Sequence, residues 1–239
     1  MRSKQILLVL FPVIFLLILL PFLISIDSTD LPSSIRRGDL AYSCNCGWIS
    51  WDHALPWGVQ TLIAELVHDS AVDVGAKQIT YAQNMKIDFI GKTKLVAQIS
   101  RTYVFSRAVS LQEREQMAFL IFRQTSESFE KMQASFPFSL NEGSQHSSFK
   151  GGDLTGNKIA FYRALKGYSK QQVEKLCKAV STKASLKRLE EGYYGKQMDW
   201  QPKQEGLYPQ LLNTIRTDIH FSKQKLSLTK ESKNFYIEF

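Results

Sequence analysis

Residues 110–135, SLQEREQMAFLIFRQTSESFEKMQAS, form the stretch that decides the fold. Ser110 and Glu113 match the capping-box pattern, in which two side chains satisfy free backbone amides at the start of a helix. Apolar residues then recur at helical spacing and define one face; they are Met117, Leu120, Ile121, Phe129 and Met132. Pro137 ends the helix, because proline lacks the amide hydrogen that a helix interior needs. The sequence therefore predicts a long helix with one buried face, on which the rest of the core packs.

Segments on the N-terminal side of this helix predict a sheet and a further helix. Residues 79–89 and 94–105 are rich in β-branched and aromatic side chains and are separated by Gly91, which favours a β-hairpin. Residues 57–67 carry apolar side chains at helical spacing. The expected fold class is α+β, with helices packed on a small antiparallel sheet and one N-terminal transmembrane helix in front of them.

The start of the chain predicts a membrane anchor. Residues 6–26 are apolar except for Ser25, and roughly 20 apolar residues suffice to cross a bilayer as a helix. Arg2 and Lys4 precede this run, which favours a cytoplasmic N-terminus. No clear small-x-small cleavage pattern follows, so we expect residues 1–27 to remain attached; the alternative is a cleaved signal peptide. The expected location is a single-pass membrane protein with its main domain outside the cytoplasm.

The remainder of the chain divides into three parts. Pro32 and Gly38, with serines between them, indicate a short linker over residues 28–38. Residues 39–200 contain most of the predicted helices and strands and form one α+β extracytoplasmic domain. Residues 201–239 are predicted to be a helical and irregular C-terminal extension that ends in a polar tail.

The chain is basic, with a formal net charge of +8 and a pI near 9.3. No basic stripe interleaved with aromatic residues accompanies this charge, so no nucleic-acid partner is expected. The expected partners are the membrane, through the N-terminal helix, and an anionic cell-envelope polymer or an envelope protein.

The chain has three cysteines, Cys44, Cys46 and Cys177. In the oxidising compartment that the anchor implies, we expect one disulfide and one free thiol, with Cys177 joined to either Cys44 or Cys46. The C-x-C pair has no second pair of ligands at zinc spacing, so the sequence predicts no structural zinc site.

His53 is the first candidate for chemistry among the four histidines. It follows Trp51 and Asp52 at a predicted strand-to-helix turn, where a scaffold commonly presents reactive groups. The alternative is a structural histidine that caps the turn through a backbone hydrogen bond.

Three further residues are assigned to the same candidate site. Glu130 lies between Phe129 and Met132 on the long helix, an apolar border that suits a carboxylate to acid–base work or metal binding. Ser148 lies in a loop that leads to Asp153, the predicted N-cap of another helix, and helix starts supply free amide donors for an anion. The alternatives are a solvated carboxylate for Glu130 and turn or capping roles for Ser148 and Asp153.

Three segments carry a family resemblance; they are residues 46–53 (CGWISWDH), 126–133 (SESFEKMQ) and 147–157 (SSFKGGDLTGN). Together they resemble an uncharacterised family of exported bacterial domains. Its pattern is Gly-aromatic-Ile-Asp-x-x-His, then Ser-x-x-Phe-Glu-x-x-Gln, then Ser-Ser-Phe-x-x-Glu-Asp-Leu-x-x-Asn. This chain has Ser50 and Gly152 where the pattern has acidic residues, and so lacks two carboxylates that a metal-bridging site would use. The resemblance covers residues 40–167 and implies no particular activity.

A second resemblance is to the papain-like envelope hydrolases. Residues 37–40 (RGDL), followed by a histidine, are similar to the Gly-Asp and His strands of the circularly permuted members. Those enzymes use a cysteine nucleophile at a helix N-terminus. Cys177 is predicted to lie within a helix, which leaves Ser148 in that role, whereas Cys46 fits the unpermuted order with a downstream histidine as base.

These features predict a membrane-anchored extracytoplasmic bacterial protein that hydrolyses envelope peptide or amide bonds at a site centred on His53. Glu130, Ser148 and Asp153 complete the predicted catalytic set, and the sequence assigns no metal ligand and no cofactor. The alternatives are a non-catalytic domain that binds an envelope polymer or protein, and a metal-dependent enzyme.

Overall fold

The computed structural model describes residues 38–68, 75–88, 94–106, 108–133, 135, 152–192 and 220–238. Within these ranges, helices pack on a small antiparallel sheet, which confirms the α+β class. The predicted anchor and residues 28–37 of the predicted linker lie outside the described residues. Among the described helices, none combines the length and the apolar character needed to cross a membrane.

The described part contains five strands and five helices. In chain order they are β1 (Leu40–Ser43), β2 (Gly47–Ser50), α1 (Trp57–Leu66), β3 (Ala76–Asp88), β4 (Lys94–Ser106), α2 (Leu111–Gln133), α3 (Asp153–Lys166), α4 (Lys170–Cys177), α5 (Thr182–Glu190) and β5 (Leu226–Glu238). The predicted hairpin is β3 and β4, and the predicted long helix is α2. The Ser110 amide donates to Glu113 Oε2 at 2.9 Å and the Glu113 amide donates to Ser110 Oγ at 3.2 Å, so the capping box is confirmed.

The larger sheet is antiparallel throughout and has the strand order β3-β4-β5. Residues 226–238, assigned from the sequence to a polar extension, form strand β5 instead. Backbone pairing with β4 holds this strand, and Arg101 Nε of β4 donates to Glu231 Oε2 of β5 at 2.7 Å. Most side chains that the structure describes on β5 are exposed. Its polar composition therefore gave no strand pattern, and the strand is held by its backbone hydrogen bonds to β4.

Helix α2 lies between the larger sheet and α3. Of the apolar face predicted for it, Met117, Ile121, Phe129 and Met132 are buried and Leu120 is partly buried. On the sheet side, the ring centroids of Phe122 and Tyr81 of β3 are 6.0 Å apart. On the other side, the Phe119 and Phe161 ring centroids are 5.0 Å apart. The main core is therefore built around α2, as its amphipathic pattern requires.

A disulfide joins Cys46, at the turn between β1 and β2, to Cys177 at the end of α4. This decides between the two pairings that the sequence left open, and Cys44 has a free, exposed thiol. Backbone hydrogen bonds reinforce the bridge; the Asn45 amide, for example, donates to the Cys177 carbonyl at 3.0 Å. Neither bridged cysteine is available as the nucleophile that the papain-like resemblance requires.

Replacing Cys46 or Cys177 by serine will lower the free energy of unfolding by about 2–5 kcal/mol, because the bridge spans 131 residues and restricts the unfolded chain. Denaturant unfolding of the full-length protein under non-reducing conditions measures this change. Cys44→Ser is the matched control and should stay within about 0.5 kcal/mol of the wild type. An equal loss of stability in all three variants would contradict the pairing.

Candidate functional site

The first turn of α3 carries Asp153. The N-cap is Gly152 rather than the predicted Asp153. Gly152 has a φ of 98°, a left-handed and non-helical conformation that favours glycine. A Cβ at Gly152 would lie 2.9 Å from the Ser50 amide nitrogen, and that amide donates to the Gly152 carbonyl at 3.2 Å. Asp153 is thus the first helical residue, 3 % exposed, where the free amides and dipole of a helix start attract a carboxylate.

His53 lies on the turn between β2 and α1, as the sequence predicted. The Ala54 amide donates to the Ser50 carbonyl at 3.1 Å, which closes the turn. From α3, Arg163 Nη1 donates to the Ala54 carbonyl at 2.8 Å. The backbone that carries His53 is therefore held from within the turn and from the neighbouring helix, while 29 % of its side chain stays exposed.

Gly156 lets α3 approach the turn of His53 closely. A Cβ at Gly156 would lie 2.4 Å from the Ser50 carbonyl oxygen and 2.9 Å from His53 Cβ. Both distances are shorter than the separations that non-bonded atoms adopt in a packed interior. The missing side chain of Gly156 therefore sets how near Asp153 comes to His53.

Helix α2 supplies Glu130 from a row of polar residues, Ser126, Glu130 and Gln133, at spacings of four and three. Ser126 and Glu130 are each 1 % exposed. Gln83 of β3 donates from Nε2 to Ser126 Oγ at 2.8 Å, and Gln133 Nε2 donates to Met85 Sδ of the same strand at 3.3 Å. Contacts with β3 therefore orient the row on either side of Glu130.

Two glutamates one turn apart on α2 have different environments. Glu127 is partly exposed, and its Oε1 lies 3.5 Å from Arg123 Nε. Glu130 lies on the buried side of the helix. The solvated-face alternative therefore describes Glu127 and not Glu130.

The turn, α2 and α3 bring His53, Glu130 and Asp153 together; we call these three residues the central cluster. His53 Nδ1 lies 3.9 Å from Glu130 Oε1, and His53 Nε2 lies 3.7 Å from Asp153 Oδ1. One nitrogen or oxygen atom from each residue lies within 4.8 Å of the other two. Three of the four predicted site residues therefore converge, and the fourth, Ser148, lies outside the described residues.

A cavity of about 440 Å³ opens beside the central cluster, and its lining includes His53, Glu130, Gln133 and Asn157. Asn157 is 6 % exposed. Within the part of the chain that the structure describes, neither Asn157 Nδ2 nor Gln133 Oε1 has a hydrogen-bond partner. Buried polar groups are nearly always paired, so these two buried atoms are exceptions, and both belong to residues that line the cavity.

The wall of the cavity formed by β3 is uncharged and consists of Tyr81, Ala82, Gln83, Asn84 and Met85. Burial raises the pKa of Tyr81 to about 12, so its hydroxyl stays protonated at physiological pH. Gln83 Nε2 donates to Tyr81 Oη at 3.4 Å. Phe122 and Phe129 of α2 also line this cavity.

Sequence reasoning missed the contributions of β3 and of two amide side chains. Gln83 lies on the inward face of β3, together with Ile79 and Tyr81. A polar residue on the apolar side of a predicted strand was the sequence signal that could have identified it. Gln133 and Asn157 match positions of the resemblance pattern but had no role assigned to them.

Gly156→Ala will lower the free energy of unfolding by about 1–3 kcal/mol, because the added carbon overlaps Ser50 and His53. Gly58→Ala is the matched control, since its added carbon meets only Tyr81 Oη, at 3.8 Å. Thermal unfolding compares the two variants, and the imidazole NMR signals of His53 report its displacement. Wild-type stability and unchanged His53 signals in Gly156→Ala would show that this packing is not required.

Comparisons with protein families, with curated proteins and with solved structures find no match to this chain. No relative therefore supplies a role for any residue of the central cluster. Both family resemblances remain predictions.

Proposed function

We propose that this protein is a membrane-anchored bacterial hydrolase of peptide or amide bonds in the cell envelope, with its reaction centre at His53, Glu130 and Asp153. The observation that carries the proposal is the meeting of one partly exposed imidazole and two buried carboxylates beside a cavity. An imidazole and carboxylates gathered beside a cavity can activate a water molecule by accepting its proton.

The two unpaired groups of the cavity support an amide as the substrate. A secondary amide offers one carbonyl acceptor and one N–H donor. Asn157 Nδ2 is a donor and Gln133 Oε1 is an acceptor, and their residues line the cavity. Both atoms are buried, so the proposal requires each side-chain amide to rotate toward the cavity when substrate binds. Pairing of the substrate carbonyl with Asn157 and of its N–H with Gln133 would present the scissile bond to the reaction centre.

In the proposed reaction, a water molecule loses a proton to the central cluster, and its oxygen forms a bond with the carbonyl carbon of the amide. Asn157 Nδ2 donates to the oxygen that gains negative charge in this step. The cluster then returns the proton to the amide nitrogen, and the C–N bond breaks with its electron pair remaining on nitrogen. The products are a carboxylic acid and an amine, so the cluster is unchanged after each turnover.

Two features support a location outside the cytoplasm. Residues 6–26 have the length and composition of a transmembrane helix. The Cys46–Cys177 disulfide joins distant parts of the core, and structural disulfides persist in oxidising compartments. The cell envelope is therefore where we place both the domain and its substrate.

His53→Ala will lower kcat/KM for amide hydrolysis by about 100-fold or more, because it removes one basic group from the centre. The assay incubates the full-length protein, purified in detergent, with isolated bacterial cell-wall material and with synthetic peptides. Mass spectrometry then identifies the new amine and carboxylate termini. His68→Ala, which changes an exposed histidine next to α1, is the matched control and should keep wild-type turnover.

Two results would contradict the hydrolase proposal. Equal turnover by His53→Ala and wild type would remove His53 from the reaction. Absence of turnover in a folded wild-type protein that sediments with the wall polymer would favour the non-catalytic alternative, an envelope-binding domain.

The exposed thiol of Cys44 provides a test of location. A membrane-impermeant maleimide added to intact spheroplasts should label the protein to the same extent as it does after lysis, because the domain faces outward. Cys44→Ser is the control and should not be labelled, since the other two cysteines are bridged. Labelling that appears only after lysis would place the domain in the cytoplasm.

A further inference from the structure

We infer that His53, Glu130 and Asp153 bind one first-row divalent cation, so that His53 acts in the reaction as a metal ligand rather than as a free base. This inference rests on the proposed function for its chemical meaning, but the binding itself is argued from the geometry of the central cluster. It would make the protein a metal-dependent hydrolase.

The distances in the central cluster are too long for hydrogen bonds and suit a shared cation. Hydrogen bonds between nitrogen and oxygen span about 2.7–3.2 Å, whereas His53 Nδ1 lies 3.9 Å from Glu130 Oε1 and His53 Nε2 lies 3.7 Å from Asp153 Oδ1. These are opposite nitrogens of one ring, and only one of them can bind a cation shared with both carboxylates. Ligands held about 2.0–2.2 Å from a metal lie roughly 3–4 Å from one another. With a single ring nitrogen of His53 as the ligand, the three donor atoms lie within 4.8 Å of one another, so binding a cation requires them to move inward by about 1 Å.

The ligand types of the cluster also suit a divalent cation. Two carboxylates and an imidazole supply oxygen and nitrogen ligands, which divalent first-row cations accept. The side chains of Glu130 and Asp153 are 1 % and 5 % exposed, so a cation bound between them would be shielded from bulk water.

A second observation points to a ligand at the same place. Asn157 is more than nine-tenths buried, lines the cavity beside His53 and Glu130, and its Nδ2 has no hydrogen-bond partner among the described residues. Three protein ligands leave coordination positions for water or substrate, as in catalytic metal sites. A molecule bound at such a position would accept a hydrogen bond from Asn157 once its amide, which is buried in this structure, rotates toward the cavity.

The donor set limits which metal binds. One imidazole nitrogen with two carboxylate oxygens suits Zn²⁺, Mn²⁺ or Fe²⁺, whereas Ca²⁺ prefers six or more oxygen ligands. The thiolates that select softer metals are absent from the cluster. A bound cation of this class lowers the pKa of coordinated water toward neutrality, which supplies the nucleophile for amide hydrolysis.

The test begins with the full-length protein purified in detergent. Elemental analysis of the preparation, followed by removal of metal with a chelator and calorimetric titration with Zn²⁺ and separately with Mn²⁺, should give one ion per chain. Metal binding should also raise the thermal unfolding midpoint of the metal-free protein, because a ligand of the folded state stabilises it.

Substitutions within the cluster identify the ligands. Glu130→Gln, Asp153→Asn and His53→Ala should each raise the Kd for the metal by about 100-fold or more, exceeding the typical range of about 10–100-fold for residues that only support a ligand. Asp52→Asn is the matched control, because Asp52 lines the same cavity outside the cluster and should change the Kd by less than about threefold. Circular dichroism checks the folding of each variant. His53→Ala should disturb the core least, because His53 is the most exposed of the three residues.

The outcomes separate this inference from the hydrolase proposal. One ion per chain, lost in the three cluster variants and retained in Asp52→Asn, supports the metal site even if no amide is hydrolysed, in which case the hydrolase proposal fails alone. Absence of binding by either cation, or binding that the three variants leave unchanged, overturns the metal site. Hydrolysis that persists in chelator-treated, metal-free protein also overturns it and leaves His53 as the base.

Discussion

Close packing between the first turn of α3 and the end of β2 is the constraint on which the candidate site depends. Side chains at Gly152 or Gly156 would meet backbone atoms of Ser50 within 3 Å. The same contact places Asp153 at the start of the helix and sets the position of the turn that carries His53. Reaction centres tolerate misplacement of only about 0.5 Å, so the two glycines matter for geometry as much as for stability.

Glu130 is charged, whereas the other buried residues of α2 are apolar or carry neutral polar groups. Phe129 and Met132 beside it pack in the core, and an apolar residue at its position would avoid the cost of burying a carboxylate. Local conflicts of this kind concentrate at functional sites, because a purely structural position gains nothing from them. The hydrogen bonds from Gln83 to Ser126 and from Gln133 to Met85 show that the surrounding structure accommodates this polar row.

The small hairpin of β1 and β2 depends on its attachments for rigidity. A two-stranded sheet alone is marginally stable in water. The disulfide fastens it to α4, and a second apolar cluster of Leu40, Tyr42 and Trp48 packs against Leu186 and Leu189 of α5. Because the turn of His53 follows β2 directly, this attachment also stabilises one wall of the candidate site.

Local patterns in the sequence determined the long helix, the larger hairpin and the reactive residue types, because capping and periodicity act between near neighbours. They did not reveal β5, which is held mainly by backbone pairing with a strand more than a hundred residues away. They also could not choose between Cys44 and Cys46 as the partner of Cys177, because that difference arises from which side of a turn faces the core. The convergence of His53, Glu130 and Asp153 was decided only by the tertiary structure, since each comes from a different element and their distances depend on how those elements pack.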